Sequence, residues 1–283
     1  MNRTGLKVGV LVVLCTAGVA LAQSRDKSRY TLLNPTPRDE MRELSADRPD
    51  VTESPYTVDA GHVQLELSFV DFVYDDEDGV RTRAFTIAPF NLKLGLLNNV
   101  DLQLVVDPYT EADVDVDDGG DETFDGFGDT QLRLKVNLWG NDGGQSAFAI
   151  MPYVKLPTGS DDITNDHVEG GIIFPYATDG LPAGFSLGLM AEFDVVYDDD
   201  DDDYEVEFLH TASLERELFG SLSGYVEYIG LAPFDGDSDY QALVGTGVKY
   251  PLSADVQLDA GVILGLTDDA DDFNASAGMT VRM

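Results

Sequence analysis

Apolar and polar residues alternate one by one over most of this chain. The alternation is clear in residues 63–69 (VQLELSF) and 131–138 (QLRLKVNL), and it recurs in residues 256–264 (VQLDAGVIL). Successive side chains of a β-strand point to opposite faces, so a period of two indicates strands with one apolar and one polar face. The sequence therefore predicts an all-β fold.

Twelve segments of this kind follow residue 60. Their approximate spans are 62–74, 80–97, 100–112, 126–139, 145–158, 168–177, 183–198, 204–217, 220–231, 239–250, 255–266 and 272–283. An even number of long antiparallel strands is typical of transmembrane barrels, in which a tilted strand needs about 9–11 residues to cross the bilayer. We predict a single up-and-down barrel of about twelve strands over residues 61–283.

The connections between these segments alternate between two kinds. Short, weakly charged connections lie at 98–99, 140–144, 178–183, 218–220 and 251–255, and acidic ones at 75–79, 111–125, 158–167, 198–203, 234–239 and 267–272. In an up-and-down meander every second connection lies at the same end. The acidic loops are therefore predicted to gather at the extracellular end, because transmembrane barrels have short periplasmic turns and longer extracellular loops.

The first 60 residues have a different composition. Residues 1–22 contain Arg3 and Lys7, then an apolar run, then the small-residue sequence ALA, which is the pattern of a cleaved signal peptide. Cys15, the one cysteine, lies inside this segment. Residues 23–60 are polar and rich in proline and basic residues, so we predict a leader that is periplasmic or inserted into the barrel lumen.

Charge decides which face of the barrel meets lipid. On the lipid face of a membrane barrel, a midplane Arg or Lys costs roughly 2–4 kcal/mol. We therefore assign the charged, polar-parity positions to the lumen: Glu66, Arg81, Arg83, Lys93, Asp101, Arg133, Lys135, Lys155, Glu192, Asp194, Glu205, Glu207, Glu227, Lys249, Asp259 and Arg282. Arg216 and His210 have the opposite parity. Arg216 is near a turn and can snorkel, whereas His210 indicates a bulge or a different register.

Net charge and motifs exclude several classes of function. The 53 acidic and 17 basic residues give a net charge of −36, which is unsuited to binding nucleic acid. The G-x-S-x-G match at 184–188 leads into a strand and lacks the helix that the hydrolase motif requires. The acidic run 113–124 departs from the EF-hand pattern. We expect no enzyme activity, no cofactor and no defined metal site; weak cation binding is left open at Asp198, Asp199, Asp200, Asp201, Asp202 and Asp203.

Residues 47–69 resemble a known family. They contain Arg48-Pro49-Asp50, then the sequence TESP (52–55) and a Gly-x-x-Gln-x-Glu run (61–66). With GDTQLRLKVNLWG (128–140), YVKLPTGS (153–160) and the last hairpin (256–283), these segments are similar to the outer-membrane barrels described as putative transporters of the MetA pathway of phenol degradation. The resemblance implies an outer-membrane transporter with no agreed substrate.

Three hypotheses about function follow from these observations. The first is a channel for passive passage of small solutes, aromatic or hydrophobic compounds by family analogy, with the leader residues Arg48, Pro49, Asp50 and Glu53 restricting the lumen. The second is a closed structural or binding barrel that displays acidic loops. The third is a secreted soluble β-protein with an acidic surface. For the first reading we expect as partners the outer-membrane bilayer, the outer-membrane assembly machinery and a small solute, and we leave the oligomeric state open.

Overall fold

Antiparallel strands dominate the protein, for which a computed structural model describes residues 26–117, 119–198, 202–234 and 239–283. The strands of the first half are β1 (Val63–Glu77), β2 (Val80–Ile87), β3 (Phe90–Leu97), β4 (Val100–Val106), β5 (Tyr109–Val116), β6 (Asp121–Gly126), β7 (Thr130–Trp139) and β8 (Ser146–Leu156). Those of the second half are β9 (Glu169–Thr178), β10 (Ser186–Asp198), β11 (Asp203–Phe219), β12 (Leu222–Pro233), β13 (Gln241–Ser253), β14 (Val256–Gly265) and β15 (Phe273–Arg282). The predicted signal peptide lies outside the described residues.

Short helical elements occur at two places in the described ranges. They are 3-10 turns at Arg38–Glu40, in the leader, and at Pro182–Gly184, between β9 and β10. Among the residues that the structure describes, no helix is long and apolar enough to span a membrane.

The strands close into a barrel. In the described chain, hydrogen-bonded neighbours follow the order β1, β3, β4 and then β7 to β15, and β15 pairs back with β1 from Gln64↔Arg282 to Tyr74↔Phe273. β1 pairs with both β2 and β3, so β2 and β3 are two halves of one barrel strand. In the same way β5 continues β4, and β6 continues β7, with β2, β5 and β6 on the side of the predicted extracellular loops, here called the upper side. The ring therefore has twelve members, and the predicted twelve-stranded antiparallel barrel is confirmed.

Four neighbouring strands are interrupted at similar heights. The register of β1 shifts between Ser68 and Val70, and the next three barrel strands break at residues 88–89, 107–108 and 127–129. Ala88 has a φ of +56° and precedes a proline. An extra residue in a strand reverses which of the following side chains face inward. The upper part of this wall therefore has the opposite inside–outside parity from the lower part.

This reversal corrects two of our lumen assignments. Arg83 is opposite Tyr74 and Arg81 is opposite Asp76, on the face where the rings of Phe72 and Phe85 are in contact, with centroids 4.7 Å apart. Both arginine side chains are 44% exposed. The prediction of Arg81 and Arg83 in the lumen was wrong, because residues 80–97 were treated as one uninterrupted strand. They lie on the outer face of the extracellular rim.

The outer face of the barrel is apolar and the inner face is polar. In β10, Leu189, Phe193 and Val195 are 38%, 40% and 44% exposed, whereas Asp194 is only 8% exposed. A soluble barrel would bury the apolar side, so this arrangement is that of a barrel surrounded by lipid. Together with the closed ring, it identifies a transmembrane β-barrel and leaves the hypothesis of a secreted soluble protein without support.

His210 lies on the outer face with its predicted parity and without a register shift near it. It is opposite Gly230, stacks on Phe208 with ring centroids 5.1 Å apart, and has Nε2 3.1 Å from the Tyr240 hydroxyl. The missing side chain at Gly230 leaves room for the imidazole ring, since a Cβ there would be 2.6 Å from it. The bulge that we considered for His210 is therefore not present.

Candidate functional site

The leader runs through the inside of the barrel. Within residues 45–59, the backbone N–H of Val58 donates to the carboxylate of Asp101 in β4 at 2.9 Å. The backbone N–H of Val51 donates to Glu227 in β12, on the opposite side of the ring, at 2.9 Å. Contacts of one short segment with strands so far apart in the ring require that it cross the lumen.

The two ends of the segment 47–53 are held by a buried ion cluster. The Asp47 carboxylate lies between the ammonium groups of Lys93 and Lys135, 2.8 Å from the latter. Lys93 also contacts Glu66 at 2.5 Å, and Lys135 contacts Glu53 at 3.4 Å. The side chain of Lys135 is 1% exposed, so these charges are almost completely removed from water. Removal of one partner from such a group leaves an uncompensated buried charge.

The two leader carboxyl groups of this cluster have different proton affinities. Burial opposes ionisation of Asp47, but Lys135 and Lys93 outweigh it and hold the pKa of Asp47 well below its usual range. At Glu53, burial and the negative charge of Asp47 prevail over Lys135 and Arg133, and the pKa of Glu53 is raised to about 7. Of the two carboxyl groups, Glu53 is therefore the one that is protonated more easily.

The middle of the segment 47–53 docks on Glu227 of β12. Its carboxylate accepts hydrogen bonds from the backbone N–H groups of Val51 and Thr52 at 2.9 and 2.7 Å. The hydroxyl of Thr52 bonds both Glu227 and Thr211 of β11. An ionised acceptor makes backbone hydrogen bonds about twice as strong as a neutral one does. The wall carboxylate therefore fixes the peptide backbone of the leader.

Two further ion pairs close the ring of contacts. Asp50 contacts Lys249 of β13 at 2.8 Å, and Lys249 also contacts Glu215 of β11 at 2.9 Å. Arg48 contacts Asp259, whose side chain is 0% exposed, at 3.0 Å. Arg48 and Asp50 thus each have a partner of opposite charge in the wall.

An apolar patch of the lumen completes the dock. Met151, Ile173 and Met190 face inward from β8, β9 and β10 and form a buried cluster, and Val51 of the leader packs against it. The leader therefore carries an apolar contact between its charged ones, which matches the mixed lining of the wall.

The lumen glycines leave space for the leader. A Cβ on Gly188 would be 3.1 Å from the methyl group of Thr52, and one on Gly261 would be 3.4 Å from Pro49. The space beside these two glycines is occupied by side chains of the leader itself.

The crossing segment separates two cavities. The larger has a volume of about 890 Å³ and is lined by leader and wall residues that include Arg42, Tyr56 and Tyr176. The smaller has a volume of about 270 Å³ and is lined by residues that include Phe90 and Arg133. Asp50 and Glu53 border both cavities, so the two spaces meet at the leader.

A second group of contacts holds the leader at the periplasmic mouth. Arg42 bonds Asp142, in the turn after β7, at 3.0 Å, and Lys27 contacts the same carboxylate at 3.1 Å. Burial opposes ionisation of Asp142, but a hydrogen bond from Asn98 and the two cations lower its pKa. Arg282 donates to the carbonyl of Arg42 at 2.8 Å. The leader is thus tied to the rim below the crossing.

The extracellular half of the lumen is mainly acidic. Asp194 of β10 is opposite Glu207 of β11, and Glu192 and Glu205 share the inward parity of these two strands. Lys155 is engaged on the neighbouring wall by Asp129 at 3.3 Å and Glu169 at 2.5 Å. A solute that enters from outside would therefore meet carboxylates before it reaches the leader.

The Gly-Asp and Lys-Leu-Pro-Thr-Gly segments lie side by side. One oxygen of Asp129 accepts hydrogen bonds from the N–H groups of Thr158 and Gly159, both at 2.9 Å. The other oxygen is 3.3 Å from Lys155. These contacts hold the β8–β9 loop against the interruption at 127–129, which gives both sequence segments a structural role.

Sequence reasoning missed three residues of the site. Asp47, Thr52 and Thr211 make central contacts but were not among our candidates. The signal for Asp47 was present, since it begins the same block as Arg48. Thr211 has inward parity in a strand whose register was in doubt because of His210. Of the positions left open for weak cation binding, Asp199 to Asp201 lie outside the described residues. Within the described ranges, no group of three or more His, Cys, Asp or Glu side chains could hold a metal ion.

Solved structures show the same barrel architecture. An outer-membrane channel from Pseudomonas putida F1 is 14% identical, with a TM-score of 0.60 over 84% of this chain and 100% of that chain. The β domain of a Bordetella autotransporter is 13% identical, with a TM-score of 0.51 over 78% of this chain and 99% of that one. The transport unit of an Escherichia coli autotransporter is 12% identical, with a TM-score of 0.50 over 84% and 92%. At these identities the likeness concerns the fold.

Sequence comparison identifies the family. The comparison with curated proteins found no match. A profile described as "Putative MetA-pathway of phenol degradation" matches residues 46–283, which begin just before the Asp47–Pro55 block that crosses the lumen and end with the last barrel strand. The match covers most of the chain and agrees with the resemblance predicted from the motifs. The chain therefore belongs to this family of outer-membrane barrels.

Proposed function

We propose that this protein is an outer-membrane channel for small solutes whose lumen is closed by its own leader. The observation that carries this proposal is the crossing of residues 47–53, which lie between a cavity of about 270 Å³ and one of about 890 Å³. Solute passes from one cavity to the other when this segment shifts. The segment is held by ion pairs and hydrogen bonds, which can be exchanged for water, and this supports a movable closure.

The lining of the extracellular half supports a preference for cations. Glu192, Asp194, Glu205 and Glu207 face the path that a solute takes towards the leader. Clustered charges of one sign in a cleft with low-dielectric walls raise the local concentration of the opposite ion. A positively charged or amine-bearing solute is thus favoured over an anion of the same size, and aromatic compounds, by family analogy, are favoured when they carry such a group.

We expect an ion gradient across a planar bilayer to reveal this preference. The reversal potential of the protein in a KCl gradient should indicate selectivity for K⁺, and Glu205→Gln with Glu207→Gln should reduce it. The matched control is Glu111→Gln, which removes a carboxylate from the outer face of β5 next to Phe85. Equal reversal potentials for the control and the double variant would show that the lumen carboxylates do not determine selectivity.

The tight docking of the leader favours a second candidate function, a permanently closed barrel that binds partners through its loops. Liposome swelling separates the two functions. A channel admits small sugars and amine-bearing aromatic compounds at rates that fall with solute size, whereas a closed barrel gives the same swelling as protein-free liposomes for every solute. No swelling with any solute, for the protein with its leader intact and after its removal, would contradict the channel proposal.

A further inference from the structure

A leucine pair lies at the tip of a narrow turn in the leader. Thr31 and Asn34 exchange two backbone hydrogen bonds of 3.0 Å, which leaves Leu32 and Leu33 at the tip. Leu32 is 41% exposed and Leu33 is 93% exposed, although Tyr30, the residue before the turn, is 4% exposed. A leucine this exposed lacks an apolar contact within the described chain.

The turn is fixed to the periplasmic edge of the barrel wall. Thr31 forms a β-bridge with Leu97, the last residue of β3, and the N–H of Leu32 donates to the carbonyl of Leu96 at 2.7 Å. On the other side of the turn, the N–H of Thr36 donates to Ala60 at 2.9 Å. The turn is therefore hydrogen-bonded to the end of a barrel strand, and it does not belong to the part of the leader that crosses the lumen.

Exposed apolar residues at the periplasmic ends of other strands lie at the same end of the barrel as the Leu32–Leu33 turn. At the periplasmic ends of β7, β11 and β13, Trp139, Phe219 and Leu252 are 49%, 74% and 57% exposed, and Leu97 beside the tip is 44% exposed. Aromatic and aliphatic side chains at this position form the interfacial belt of a membrane barrel. Arg29 and Arg38, whose side chains are 66% and 63% exposed, flank the tip and suit a headgroup region.

We propose that Leu32 and Leu33 insert into the periplasmic leaflet of the outer membrane and anchor the leader to lipid. The hydrophobic effect favours transfer of the exposed apolar surface of both side chains from water into the acyl-chain boundary, and Leu33, at 93% exposed, gains most. The anchor fixes the N-terminal part of the leader at the rim, while the segment from 45 onwards occupies the lumen. The proposed lipid contact of this turn does not depend on whether the barrel conducts solutes.

Tryptophan fluorescence in vesicles tests the anchor. In a Trp139→Phe background, Leu33→Trp places the single tryptophan of the chain at the tip, and Asp39→Trp places it on an exposed leader residue that lines the cavity below the crossing. Both variants are reconstituted in phosphatidylcholine vesicles with and without bromine on the acyl chains. The unmodified protein, with Trp139 in the belt, gives the reference for a lipid-exposed ring.

We expect brominated lipid to quench Leu33→Trp to nearly the same degree as native Trp139, with a blue-shifted emission maximum. Asp39→Trp should show little quenching and stay accessible to aqueous iodide. If Leu33→Trp is quenched no more than Asp39→Trp, the tip lies in water and the proposal is overturned. Both substituted positions are exposed, so neither change removes a buried contact.

Discussion

Deletion of residues 23–60 is expected to raise the single-channel conductance several-fold. The deletion removes the segment that crosses between Lys93 and Lys135 on one side and Glu227 and Asp259 on the other. A barrel of eight strands is filled by its own side chains, whereas barrels of 16–18 strands leave an aqueous channel. A twelve-stranded lumen lined by polar side chains should therefore conduct once the leader is gone.

The barrel is expected to fold without its leader, because the wall charges that paired with it become hydrated in an open lumen. Strand pairing around the ring does not involve residues 45–59. Deletion of residues 23–44 is the matched control: it shortens the leader but keeps the crossing, so its conductance should stay near that of the full-length protein. The explanation fails if both deletions have the same conductance as the full chain while heat-modifiable mobility shows that they are folded.

Lys135→Met is expected to release the leader. The substitution keeps an unbranched side chain only one atom shorter but removes the charge that contacts Asp47 at 2.8 Å and Glu53 at 3.4 Å. Removing one partner of a buried ion pair costs about 3–5 kcal/mol, because the remaining charge is left without compensation. The charges left without a partner, Asp47 and Glu53, belong to the leader. The leader can leave the lumen and expose them to water, so we expect it to undock while the barrel wall stays folded.

Limited digestion with a glutamyl endopeptidase measures this release. In the native protein the Glu53 side chain is 12% exposed and paired with Arg133 inside the barrel, so the bond after Glu53 should resist cleavage. In Lys135→Met, cleavage after Glu53 should become rapid, and the conductance should approach that of the leaderless barrel. Lys155→Met is the control, since it removes a lumen lysine that pairs with Asp129 and Glu169 and not with the leader. Equal protection of both variants would indicate that the ion cluster does not hold the leader.

The alternation of side chains predicted most of the architecture. A period of two, together with acidic loops at every second connection, was sufficient for the strand number and the closed ring. In the hairpin that carries the aspartate run, Tyr197 pairs with Tyr204 and their rings are 5.2 Å apart, as the position of the run between two strands indicated. These features repeat along the chain, so local irregularities do not change them.

The prediction of inward- and outward-facing residues from the alternation was wrong where a strand contains an extra residue. Arg81 and Arg83 were assigned to the lumen because their spacing from Lys93 is even, but the interruption at Ala88-Pro89 reverses the faces between them. The prolines at 89 and 108 were the available signal, since proline inside a strand marks an edge or a bulge. The parity pattern itself contains no such information.

The chemistry of the leader was only partly predictable. Its excess of basic residues was part of the basis for placing it in a lumen whose predicted lining includes the carboxylates Glu66 and Glu227. Arg48 does pair with Asp259, but Glu227 accepts backbone N–H groups, and Glu66 pairs with Lys93. The leader carboxylates Asp47 and Glu53 bind wall lysines instead. Which charges meet depends on the path of an irregular segment, and composition does not specify that path.

A disulfide between the leader and the wall tests most directly whether the leader closes the lumen. The hydroxyl oxygens of Thr52 and Thr211 are 2.5 Å apart, and the predicted mature chain has no cysteine, so Thr52→Cys with Thr211→Cys can form one bridge. We expect the oxidised protein to give no solute-dependent liposome swelling and the reduced protein to recover the native rate, while Thr211→Cys alone is insensitive to reductant. Equal swelling of the oxidised and reduced double variant would contradict the account, because solutes would then pass without movement of the leader.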